Sequence, residues 1–261
     1  MCIARACILR WQLMYKLSWC PGASWWEGEG LTGHSKTIFD ALDGFVNQFA
    51  AIFPPHERGK LMANLRNIWS ETFTSWMVEK TWSLMGYVPS MDEYLKNANI
   101  SVSIHAIALP ATSGFLNLSS SDGTQNLEYH KITKLLMESA RLLNDARSYQ
   151  REEQEGKMNF VHLHMKQNPS PGACIEDSIA HVQQIVGEKM KEFMEHVFMD
   201  TDNSMPKSCR QLHLSCMKSV HMFYNSANNF DCDTALVDDI NKAIYLPIRQ
   251  IPEPETNPEL P

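Results

Sequence analysis

Apolar residues recur along this chain at intervals of three and four, and the period-2 alternation that a half-buried strand requires is almost absent. In "SKTIFDALDGFVNQFAAIF", residues 35–53, Ile38, Phe39, Leu42, Phe45, Val46 and Phe49 fall near helical spacing, and Pro54-Pro55 ends the run. Residues 57–85 continue the pattern with aromatic and aliphatic positions, which predicts one long core helix. Ser90, with Glu93 three residues later, has capping-box spacing and predicts a helix start. The stretch "ISVSIHAIALPATSGF" is β-branched and carries Pro110 and Gly114, so that helix is expected to be kinked or partly unwound. "SSSDGTQ", 119–125, reads as a loop, and 126–154 as one long helix. "QNPSPGA", 167–173, is another breaker, followed by helices at about 175–200, 207–227 and 233–245. The expected fold class is all-α, with no internal repeat.

Composition narrows the function classes. The chain has 261 residues, 44% of them hydrophobic, which is enough for a sizeable core. Its formal charge of −7 repels nucleic acid and anionic membrane, so no nucleic-acid partner is expected. Seven cysteines without a CxxC pair argue for a reducing compartment, with the cysteines as small core residues. No apolar run reaches 18 residues, so no transmembrane segment is expected and the chain reads as soluble and intracellular. Residues 1–30 hold four tryptophans and three cysteines without usable periodicity. Residues 1–26 lack Asp and Glu but carry Arg5, Arg10 and Lys16; Arg10 breaks the apolar run, so a targeting segment is not the reading preferred. The Pro-rich end, 248–261, has little to bury and reads as a disordered tail.

One stretch carries candidate chemistry. In "ARLLNDARSYQREEQEGKMN", residues 140–159, Asn144, Ser148 and Glu152 lie four apart. On a helix these positions drift by about 80° in all while climbing roughly 12 Å, so the three side chains share a face. Helical side chains lean toward the N-terminus, which lets the longer Glu152 reach back toward Ser148 and Asn144. Amide oxygen, hydroxyl and carboxylate are hard donors suited to Mg2+, with Mn2+ as the alternative, and they leave its shell incomplete. Water and a substrate phosphate would complete it. Arg141, one turn earlier on nearly the same face, is placed to hold that phosphate. The competing reading is that any amphipathic helix has a polar face.

"LLNDARSYQREEQEGKMN" resembles the second metal motif of class I plant terpene synthases, (N/D)D-x-x-(S/T)-x-x-x-E, in the ent-kaurene, linalool and geranyllinalool synthase branch. "YVPSMDEYL", "ALPA", "EGKMN", "IEDSIAHVQQIV", "MPKSCRQLHLSC" and "INKAIYLP" resemble that branch in the same order, over roughly residues 31–247. The resemblance implies the α-helical terpenoid synthase barrel, incomplete at its N-terminal side, and a prenyl diphosphate substrate held by Mg2+. It implies Asn144, Ser148 and Glu152 as ligands of one ion and Arg141 as a diphosphate contact. It further implies ionisation of geranyl or geranylgeranyl diphosphate, with an acyclic alcohol such as linalool or geranyllinalool as product, or a cyclisation like that of ent-kaurene synthase. The compartment it implies is cytosol or plastid stroma.

The same family carries an aspartate-rich DDxxD motif on an earlier helix, and this sequence has none. The matching segment is therefore expected to lack the start of the catalytic domain, with residues 1–30 standing in its place. A non-catalytic remnant that binds Mg2+ weakly, or pairs with a full-length relative, is the alternative function. Asp40 and Asp43 in "FDALDGF" and Asp238 and Asp239 in "VDDINKA" read as solvated helix charges. Cys209, His213 and Cys216 share a helix face with His221 beyond, but match no common zinc module; the apolar residues around them predict a packed core helix. His162 and His164 read as surface histidines. Lys157 lies just past the motif and is left outside the site. Tyr224 matches a family pocket position, whereas Asn228 stands where relatives often carry Asp.

Overall fold

The computed structural model describes residues 31–112, 130–169, 174–199 and 205–225, and all its regular elements there are helices. They are α1 (Gly33–Ala51), α2 (Pro55–Met85), α3 (Met91–Ser101), α4 (His105–Thr112), α5 (Lys131–Gln154), α6 (Phe160–Gln167), α7 (Ile175–Phe198) and α8 (Lys207–Asn225). The chain divides into two units, Met1–His221 and Met222–Pro261, and only the last turn of α8 is described in the second. The expected segment 1–30, the loop at 119–125, the helix at 233–245, Asn228, Asp238, Asp239 and the tail 248–261 lie outside the described residues.

Local chemistry sets the boundaries. Pro55 opens α2, where its missing N–H has no helical partner to lose. Gly86, at φ 62°, closes α2 in the left-handed region, and the Tyr87 amide returns to the Trp82 carbonyl at 3.0 Å. Ser90 caps α3 by accepting from the Glu93 amide at 3.1 Å. The Glu93 carboxylate accepts from the Tyr87 hydroxyl at 2.9 Å. The anticipated interruption falls at Ser103, whose φ of 63° separates α3 from α4. Its hydroxyl donates to the Ser101 carbonyl at 3.0 Å, the kind of local bond by which Ser competes with helix. Pro110 sits inside α4, so the break is set by Ser103 rather than by the proline.

Helix α5 packs against α3, α4, α6 and α7, and α1 packs on α2. Ion pairs Lys131–Glu192 at 2.9 Å and Glu138–Lys189 at 2.6 Å run along α5 and α7 in opposite chain directions, so the two helices are antiparallel. Met137 of α5 joins Ile68, Ala106 and Leu109 in one apolar cluster, which ties α5 to α2 and α4. Val46, Ala50, Leu61 and Leu65 form a second cluster between α1 and α2.

Tertiary packing corrects several readings. His162 is buried and His164 half-buried, because α6 is covered by α3, α5 and α7. The His164 ring stacks on His181 at 4.1 Å between centroids and bonds Ser178 at 3.0 Å. Asp43 is not merely solvated: it pairs with Arg66 at 3.1 Å and so joins α1 to α2. Asp40 does pair on an exposed face, with Lys36. Cys209 is buried and Cys216 half-buried, whereas Cys174 is exposed at the N-cap of α7. His213, fully buried, joins Thr133 of α5 at 2.9 Å and the Cys209 carbonyl at 2.8 Å, in keeping with a packed core helix.

Candidate metal and diphosphate site

The C-terminal half of α5 brings Asn144, Ser148 and Glu152 to one face, as their spacing requires. Ser148 is buried and its hydroxyl donates to the Asn144 carbonyl at 2.9 Å. With its proton committed there, the oxygen offers lone pairs to anything outside the helix. Glu152, half-buried, accepts from the Asn159 side-chain amide through Oε2 at 2.8 Å. Asn144 is half-buried. A neutral hydroxyl, an amide and a carboxylate with one oxygen beyond that bond form a donor set that fits a hard divalent cation.

Arg141 is placed deeper than its sequence position suggests. Its side chain is only 8% exposed, and its guanidinium is met on every side. Nε faces Asp145 at 2.8 Å, Nη1 faces Glu79 at 3.4 Å and Ser101 Oγ at 3.3 Å, and Nη2 meets the Tyr94 hydroxyl. The guanidinium carbon also lies 5.1 Å from the Tyr94 ring centroid, within cation–π range. Burial works against its charge, but Asp145, Tyr94, Glu79 and Glu152 outweigh that and hold it protonated, well above the ordinary arginine range.

Asp145 is the other half of this pair and is fully buried. Its Oδ2 accepts from the Tyr94 hydroxyl at 2.7 Å and from the Phe160 amide at 3.0 Å. Burial, with the nearby Glu152, pushes its carboxyl up to about 7, while Arg141 and these two donors pull it down. Burial likewise raises the Tyr94 phenol well above its usual value. The cluster therefore joins α2, α3, α5 and the start of α6 through one buried arginine.

Asp145, Glu79, Tyr94, Ser101 and Asn159 escaped the sequence reading. One signal was legible: Arg141 and Asp145 stand at i and i+4, the spacing of a helical ion pair. The others come from distant helices and carry no mutual spacing. Lys157 pairs with Glu155 rather than with the site, and its amide closes α5 on the Glu152 carbonyl at 2.8 Å.

Residues 24–192 match the model of the terpene synthase family, metal binding domain. The chain belongs to the terpene synthase family. It is 45% identical over 223 residues to (E,E)-geranyllinalool synthase of Arabidopsis thaliana, a match covering 85% of this chain and 25% of that protein. It is 42% identical over 233 residues to S-linalool synthase of Clarkia breweri, covering 87% and 26%. The chain thus spans about a quarter of the length of these relatives. Among solved structures, limonene synthase with 2-fluorolinalyl diphosphate superposes at a TM-score of 0.71 and 17% identity, covering 92% of this chain and 44% of that one. Isoprene synthase of Populus x canescens, in complex with three Mg2+ ions and dimethylallyl-S-thiolodiphosphate, gives 0.65 and 19%, covering 83% and 40%. The fold is that of the class I terpenoid synthases, and the family is the plant class I terpene synthases.

Among the described residues no helix is long and apolar enough to cross a membrane, and no group of three or more His, Cys, Asp or Glu side chains gathers as a metal cluster. The Asn144, Ser148 and Glu152 set holds one carboxylate, so it differs in kind from such a cluster.

Proposed function

We propose that this chain carries one wall of a prenyl diphosphate ionisation site, in which Asn144, Ser148 and Glu152 hold a divalent cation, Mg2+ or Mn2+. The observation that carries the reading is the Glu152 carboxylate, oriented by Asn159 on the same helical face as the Ser148 hydroxyl. The Mg2+ ions and thiolodiphosphate named for the isoprene synthase relative support it. When bound, the cation would take up negative charge as the allylic C–O bond breaks and the diphosphate leaves with the electron pair.

Arg141 stays protonated one turn before Asn144, its charge shared with Asp145 and Glu79. A direct diphosphate contact would draw on its longest ion pair, to Glu79 at 3.4 Å, while Asp145 and Tyr94 keep the guanidinium oriented. The organic cation left behind is quenched by water, with loss of a proton to solvent, or by proton loss alone. The identities of 45% and 42% to geranyllinalool and linalool synthases favour the water route, which yields an acyclic tertiary alcohol from geranylgeranyl or geranyl diphosphate.

A second reading rests on the sequence itself, which has no DDxxD motif to hold further cations. In that reading the chain binds a cation without turning over substrate. Incubating the folded chain with geranyl and geranylgeranyl diphosphate and Mg2+, beside Glu152→Ala, separates the two by gas chromatography of the products. Mg2+-dependent product that disappears in Glu152→Ala supports ionisation by this chain. A helical chain that binds Mn2+ but forms no product leaves the cation site standing and assigns the chemistry to a longer protein.

A further inference from the structure

We propose that Asn159 is a positioning residue for Glu152, holding the carboxylate so that one oxygen is turned to the cation; this rests on the cation reading above. Asn159 is fully buried and its backbone is extended, at φ −146° and ψ 140°. Both ends of its side-chain amide are engaged. Nδ2 donates to Glu152 Oε2 at 2.8 Å and to the Asp145 carbonyl at 3.0 Å, and Oδ1 accepts from the Val161 amide at 2.9 Å. The orientation follows from these partners: a flipped amide would set Oδ1 against a carboxylate and a carbonyl, and Nδ2 against an N–H.

The chain reaches this point by a tight reversal. Gly156, at φ 65°, ends α5 with its amide on the Glu153 carbonyl at 3.1 Å, while the Lys157 amide takes the Glu152 carbonyl at 2.8 Å. Three residues later Asn159 lies against the last turns of the helix it has just left. The same side chain therefore caps α6 and fixes a carboxylate on α5. A glutamate with three free torsions on a final helical turn would otherwise sample many rotamers. Donation to Oε2 restricts that choice and leaves Oε1 as the oxygen outside this bond.

A buried N-cap asparagine also has a purely structural role, so the test must separate capping from positioning. Asn159→Ser keeps a good capping oxygen but is too short to donate to Glu152. Mn2+ binding to the full chain, read by the loss of the free-ion electron paramagnetic resonance signal, is compared for wild type, Asn159→Ser, Glu152→Ala and Ser90→Ala. Ser90→Ala removes the cap of α3, a structural change away from the cation face. Circular dichroism checks that each variant is helical, and Asn159→Thr, a second cap-forming change, replaces the serine variant should that one fail to fold.

The expected result is a Mn2+ dissociation constant raised roughly 10- to 100-fold in Asn159→Ser, the usual effect of removing a partner that orients a ligand, with no change in Ser90→Ala. Wild-type affinity in Asn159→Ser, with binding lost in Glu152→Ala, overturns the positioning role and leaves the cation site intact. Equal affinity in wild type and Glu152→Ala overturns the cation reading itself, and this proposal with it. Equal weakening in Ser90→Ala and Asn159→Ser overturns the proposal in favour of a general loss of order.

Discussion

The two halves of α5 are built differently although they form one continuous helix. From Ile132 to Leu143 nearly every side chain is buried, including Thr133 and Ser139, and only Lys134 and Glu138 reach solvent. From Asn144 to Gln154 only Asp145 and Ser148 are buried, and the other side chains are half-buried or exposed. The first half is gripped by neighbours everywhere except along the edge that carries Lys134 and Glu138. The second is gripped through one polar cluster at its start and one asparagine at its end. A candidate ligand helix gains from this arrangement: the anchored half fixes the axis, and the open half presents oxygen donors from that fixed axis.

The sharpest way to break the comparison is at the junction. Arg141→Leu would strip Asp145 of its ion-pair partner in a fully buried site. The expected loss is about 3–5 kcal/mol of unfolding free energy, measured by urea denaturation with helicity as the signal. A loss under about 1 kcal/mol would show that the cluster does not hold the two halves together.

Within the anchored half, Leu135 is fully buried, so Leu135→Ala should cost about 2–5 kcal/mol. The exposed Gln150, in the open half, should tolerate alanine within about 0.5 kcal/mol. Similar costs for the two substitutions would erase the distinction between the halves.

Acid should act on the packing around the anchored half. His105 of α4 lies beside Ala106, which packs on Met137, and burial lowers its pKa to about 4 from an ordinary 6.5. The folded state therefore binds this proton less readily than the unfolded chain. The stability its neutral form confers is complete above about 6.5 and is lost as pH falls toward 4, by roughly 3 kcal/mol in all. Thermal unfolding followed between pH 7 and pH 4 should show this slope, and His105→Gln should flatten it.

A modest effect is expected at the end of the open half. Gly156 has left-handed φ, and a Cβ added there would meet nothing within 4 Å, so Gly156→Ala brings conformational strain and no clash. A cost of about 1 kcal/mol is expected, read as a small shift in urea midpoint. A larger drop in Mn2+ affinity than this stability change implies would tie the reversal to the placement of Asn159.

The all-α class, the long α2, the C-terminus of α5 and the start of α7 were all legible in the sequence, because apolar period and breakers such as Pro55 are local signals. The common face of Asn144, Ser148 and Glu152 was legible for the same reason: helical geometry alone sets it. Three features were decided by tertiary structure. Arg141 reads from its spacing as a phosphate contact on nearly the same face as Asn144, and the tertiary structure adds Glu79, Tyr94 and Ser101 around its guanidinium from α2 and α3. His162 is buried and His164 half-buried because α6 is wedged among three helices. Asn159 turns back on Glu152 only because Gly156 reverses the chain. Periodicity determines which side chains share a helix face, since that depends on a fixed rotation per residue. Whether a face meets water, a cation or another helix depends on contacts between residues far apart in sequence, and those carry no period to read.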